Sequence, residues 1–177
     1  MGTCDSYNYS QNLKVSIRAM KESLKTGFCF GLTSGIITTL GLLVGLSSGT
    51  GSKLAVIGGI LTIAVADAFS DALGIHISEE SENAHSAREV WGSTIVTFAT
   101  KFLVAMTFIV PVLFFDLSTA VIASLIWGFL VMGLLSFILA KEQDKSPRKV
   151  IAEHLLILIM VVISTDLIGS WIEAAFG

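Results

Sequence analysis

Two aspartates stand four residues apart inside an apolar stretch long enough to cross a membrane. They are Asp67 and Asp71 in LAVIGGILTIAVADAFSDALGIHI (54–77). A charge at the centre of a bilayer costs at least ~2.5–3.5 kcal/mol on the lenient insertion scales. Residues four apart share one face of a helix. A chain that keeps two carboxylates there must pair them with something or use them to bind something.

That such stretches dominate the chain fixes the fold class. Of 177 residues, 53% are hydrophobic and 14% charged, against the roughly 25% charged of soluble domains. Apolar runs of membrane-spanning length recur. We read an all-α integral membrane protein with five transmembrane helices, over about 28–46, 54–77, 90–115, 117–140 and 150–176. The third span contains Pro111, and Pro147 suits the first turn of the fifth. The links are short, SSGTGS (47–52), a turn begun by Asp116, and KEQDKSPRK (141–149). One link, SEESENAHSARE (78–89), is rich in acidic residues. The expected organisation is a tail over 1–27 and one transmembrane domain over 28–177.

Within the tail, Leu13, Ile17, Met20 and Leu24 fall at helical spacing among basic residues, which predicts a short amphipathic helix resting on the membrane surface. The polar start predicts no short cleavable signal peptide, so the first span itself would target the chain. With five spans, Lys14, Arg18, Lys21, Lys25, Arg88, Lys141, Lys145, Arg148 and Lys149 share one side, and Lys53 lies on the other. The positive-inside rule then places the N-terminus in the cytoplasm and the C-terminus outside or in a lumen. Cys4 and Cys29 cannot make a disulfide framework and are read as free thiols.

Asp67, Asp71, Gly74, Ser78 and Glu82 fall on one helical stripe, from mid-membrane to the cytoplasmic surface, and the stripe runs on into Glu79, Glu80 and His85. Hard divalent cations prefer oxygen ligands, and Fe²⁺ and Mn²⁺ also accept imidazole. An acidic stripe leading from an acidic mouth is a cation path, with Asp67 and Asp71 as ligands or proton carriers and Glu79, Glu80 and Glu82 gathering cations. Burial favours the neutral form of a carboxyl group, which suits proton carriage.

The competing reading is structural. At 1.5 Å per residue, Lys101 and Asp67 lie at about the same depth, ~15 Å. Lys101 can therefore pair with Asp67 or Asp71, and one pair leaves one aspartate over. His76 falls on the opposite side of its helix from Asp67. Asp166 is an exit-side ligand or a snorkelling residue, and Glu153 and His154 sit at the cytoplasmic headgroups. In span one, Thr33, Ser34, Thr38 and Thr39 bond back to their own helix or line the path, with Ser34 and Thr38 the weaker site candidates. Gly27, Gly31, Gly35, Gly41 and Gly45 permit close helix approach, either within the chain or between subunits. No phosphate loop, nucleophile elbow or metalloprotease pair is present, so we expect no enzyme, no cofactor and no nucleic-acid partner.

The order of these features resembles the vacuolar iron transporter family. GLTSGIITTLGLLVG (31–45) is similar to that family's first-span motif, and AVADAFSDALGIHISEESE (64–82) to its second span and exit. IVPVLFF (109–115) and the KSPRK turn also fit, over about 25–177. The resemblance implies a homodimer that moves Fe²⁺ or Mn²⁺ out of the cytoplasm in exchange for protons, along a path between the two first spans. It implies a cell membrane in a prokaryote and a vacuolar or other organelle membrane in a eukaryote. The family's first-span aspartate falls on Ser34, and its second-span ligand methionine on Asp67. The long cytoplasmic metal-binding domain of the plant members is replaced by 78–89.

Overall fold

A computed structural model describes residues 17–82 and 84–177 in full and the backbone alone of 2–16. Helix makes up 91% of it, with no strand among the described residues. The elements are α1 (Gly2–Thr50), α2 (Lys53–Ser81), α3 (Ala87–Thr107), α4 (Ile109–Phe114), α5 (Leu117–Glu142) and α6 (Pro147–Phe176). They give five helices long and apolar enough to cross a membrane, Ala87–Phe114 counting as one. Large apolar side chains such as Leu54, Phe69, Leu103, Ile126, Leu167 and Trp171 stand exposed. In water so much apolar surface would drive association, whereas hydrocarbon accepts it without cost.

α1 is the axis of the bundle and packs against α2, α3, α5 and α6. Ile36, Leu40, Leu43 and Val44 of α1 form the centre of the core with Val56, Ile60, Phe108, Val112, Met132 and Leu158. Its glycines are used within the chain. A Cβ on Gly27 would lie 2.5 Å from the Ser93 carbonyl oxygen, and one on Gly31 would lie 2.7 Å from that of Thr97. Gly41 and Gly45 face α6 less tightly: a Cβ on Gly41 would lie 3.0 Å from the Val161 side chain, and one on Gly45 would lie 3.3 Å from the Thr165 carbonyl oxygen. Small residues let these backbones meet, which supplies the packing that a hydrophobic driving force cannot supply in lipid.

Three boundaries differ from the sequence reading. The lead-in segment is no separate helix, because α1 runs unbroken to Thr50. Met20 and Leu24 pack over Gly92 at the start of α3, while Ile17 is exposed; the side chains of Leu13 and Cys4 lie outside the described residues. The first turn shrinks to Gly51 and Ser52, since Gly51 adopts φ +58° and donates to the Ser47 carbonyl, closing α1, and Ser52 caps α2 by accepting from the Ala55 N–H. The third span breaks at Phe108, three residues before Pro111. Pro111 has no N–H to return to Thr107, so the ladder fails there and Phe108 bonds to Ala105 instead.

Two turns at one end of the bundle are pinned by charge. The Lys53 ammonium donates to the Leu113 and Phe115 carbonyls at 3.2 and 2.9 Å, satisfying the end of α4. Asp116 caps α5 by accepting from the Thr119 N–H, and that bond holds its carboxyl below the usual range.

Candidate functional site

Helices α2 and α3 meet near mid-span around one ammonium group. Lys101 is 1% exposed, and its Nζ lies 2.6 Å from Asp67 Oδ2. It also contacts Asp71 Oδ2, to which it donates a hydrogen bond, and donates to Ser34 Oγ of α1 at 2.8 Å. The sequence reading allowed Lys101 one of the two aspartates; the geometry gives it both. Three oxygens from two helices thus surround one nitrogen that arrives from a third. The charges do not cancel, since two carboxylates meet one ammonium.

The two aspartates are not equivalent. Asp71 takes the hydrogen bond from Lys101, whereas the Asp67 contact lies off the hydrogen-bonding direction, so Asp67 Oδ2 is buried with an ion pair and no hydrogen bond. Asp67 also borders an open groove of about 550 Å³ between α1 and α2, lined by Thr38, Thr62 and Ser70 among apolar neighbours. Asp71 therefore serves as the standing counter-ion of Lys101, and Asp67 is the carboxylate with access to space.

A polar seam leads from this cluster toward the α2–α3 link, along a different line from the expected stripe. Gly74, Ser78 and Glu82 are exposed, and the seam continues through the buried Glu79. Glu79 Oε2 accepts from Ser23 Oγ of α1 at 2.8 Å and from Ser93 Oγ of α3 at 2.7 Å. The α3 side of the seam is Glu89, Ser93, Thr97 and Lys101, all buried and spaced by four. Thr97 donates to the Gly27 carbonyl at 3.3 Å. The four-residue spacing is present in the sequence, but serine and threonine carry no charge to stand out in an apolar run, so periodicity alone marks only Glu89 and Lys101.

At the α2–α3 end the acidic side chains go different ways. Glu80 and Glu82 are exposed, and Glu82 lies 3.5 Å from His85. Glu79 is tied into the helix contacts. Glu89 turns back to accept from the Ser86 N–H at 2.8 Å, closing the start of α3. His76, off the aspartate stripe as read, bonds Thr94 at 3.0 Å and meets the Trp91 ring edge-on; with Glu80 and His85 it lines a pocket at this end.

In α1, Thr33 and Thr38 bond back to the Cys29 and Ser34 carbonyls, while Thr39 is buried without a partner. Asp166 accepts from Ser48 and ties α6 to α1. Glu153 is exposed, and His154 bonds Ser136 at 2.8 Å. Among the described residues no three histidine, cysteine or acidic side chains gather closely enough to hold a metal ion by themselves. Compared with known protein families, curated proteins and solved structures, the chain matches none.

Proposed function

We propose that this chain is a membrane transporter that moves a divalent metal ion, Fe²⁺ or Mn²⁺, out of the cytoplasm in exchange for protons. The observation that carries this reading is the surplus carboxylate of the Lys101 cluster. A purely structural pair needs one aspartate for one lysine. Here a second, Asp67, is kept in an apolar bundle, unsatisfied by hydrogen bonds and beside an open groove. Ionisable groups at membrane depth mark ion and proton pathways more often than they mark scaffolding. The resemblance to the vacuolar iron transporters supplies the ion, the direction and the homodimer. The placement of basic residues supplies a cytoplasmic N-terminus.

In this mechanism Glu80 and Glu82 raise the local cation concentration at the cytoplasmic end. Asp67 and Asp71 offer carboxylate oxygens, Ser34 a hydroxyl, and Thr38 a further oxygen along the groove. A proton returning from the far side neutralises Asp67, the surplus carboxylate, once the metal has left.

The test is uptake of Fe²⁺ and Mn²⁺ into proteoliposomes, with and without a pH gradient. Flux should follow the gradient and vanish in Asp67→Asn, which leaves a one-to-one Asp71–Lys101 pair and so should stay folded. Full flux in Asp67→Asn, or none from folded wild type, overturns the reading. The burial of Lys101 between both aspartates favours one other reading, a non-transporting membrane scaffold or subunit with a structural ion cluster. In that case no ion is carried and Asp67→Asn changes stability alone.

A further inference from the structure

The Lys101 ammonium sits where a bound cation would sit. Its Nζ touches Asp67 Oδ2, Asp71 Oδ2 and Ser34 Oγ, an all-oxygen set of the kind hard divalent ions take. No second centre of this kind appears among the described residues: the other ion pairs, such as Lys25–Glu142 and Lys149–Glu153, join one acid to one base on exposed surface. Metal and ammonium cannot share the position, because two cations would then stand within a bond length of the same oxygens.

From this we infer that Lys101 is a tethered surrogate cation: it fills the ion site in the resting protein, and a divalent ion loads only by displacing it. The inference rests on the function proposed above and names the residue that sets affinity at that site. Charge arithmetic shows why such a device is useful. Two carboxylates left bare in hydrocarbon would be costly, and a site that held the metal without competition would not release it. The lysine supplies a weak, mobile competitor on a flexible four-carbon stem. It keeps the empty site intact, and it returns to the carboxylates as the metal departs. Arginine would not serve, since its planar fork clamps carboxylates bidentately and cannot leave as readily.

The measurement is Mn²⁺ binding to the purified full chain in detergent, read from loss of the free-ion paramagnetic resonance signal. Lys101→Met should bind Mn²⁺ about tenfold or more tightly than wild type, since the site gains one unit of negative charge at contact range. That gain should disappear in Lys101→Met/Asp67→Asn. A Lys101→Met protein that folds only when Mn²⁺ is added supports the same conclusion. Affinity equal to or weaker than wild type overturns it. Lys101→Arg keeps the charge and, once its thermal transition shows it folded, should bind Mn²⁺ more weakly than wild type; undiminished binding also overturns the inference. Failure of the transport reading shows separately, as absent flux in wild type, whatever Lys101→Met binds.

Discussion

Lys101→Met should destabilise the metal-free protein severely, and the size of the effect follows from the cluster. Nζ meets one carboxylate at 2.6 Å and bonds the other. With charge centres ~3 Å apart and an effective dielectric constant of ~20, each pair contributes about 5 kcal/mol of gross attraction. Both carboxylate oxygens touch one nitrogen, so they lie no more than about 5 Å apart and repel by roughly 3 kcal/mol. Much of the net attraction offsets the desolvation of three charges, so the intact cluster adds little to stability. Removing only the cation is different. It leaves two like charges, both half-buried, without a partner, and losses on breaking buried pairs run to about 3–5 kcal/mol, an upper bound here. For a chain of this length that corresponds to a fall in Tm of about 6–20 °C. Thermal unfolding in detergent with a chelator present, followed by tryptophan fluorescence, reads it. The loss should shrink in Lys101→Met/Asp71→Asn, with a coupling energy above about 1 kcal/mol. A single variant within about 1 kcal/mol of wild type, or losses that simply add, would refute the geometry on which both the site and the surrogate-cation inference stand.

Other outcomes follow from the packing. Glu79→Ala removes the acceptor that ties Ser23 to Ser93 but leaves each hydroxyl a backbone carbonyl, that of Glu89 or Val90, so it should cost about 0.5–1.5 kcal/mol in the same unfolding assay, with Glu79→Gln costing less because it still accepts. Gly31→Leu forces a side chain against the Thr97 carbonyl and should separate α1 from α3, lowering stability by at least about 1–3 kcal/mol. Thr39→Val replaces an unpartnered buried hydroxyl by a methyl group of the same shape, and is expected to leave Tm unchanged or raise it; a clear loss would show that the hydroxyl has a partner. Asp116 has its carboxyl held below the ordinary value by the Thr119 N–H, so its contribution is present above about pH 4 and fades as pH falls through the lower folded value. Stability of Asp116→Ala should accordingly converge with wild type in strong acid, measured as Tm against pH.

The bundle and its chemistry were legible to different degrees. Five apolar runs specify five spans because water will not solvate them and hydrocarbon demands that backbone groups bond within each segment. The Asp67–Asp71 spacing specifies a shared face because helical geometry is local, and the depth of Lys101 follows from counting residues along a known rise. Composition also marks Pro147 as a helix start and Ser52 as a turn residue. Those facts need no tertiary information. What periodicity along one helix cannot supply is which helix lies opposite which face. Only the packed structure gives Lys101 both aspartates, turns Glu79 inward while Glu82 stays exposed, and aligns Ser93 and Thr97 into a buried seam. It also sets Gly27 and Gly31 against α3 and Gly41 and Gly45 against α6, neighbours that spacing along one helix does not identify. The reason is physical. In lipid the order of the helices is set by close van der Waals fit and polar pairing between segments far apart in sequence, and neither is a property of any segment alone.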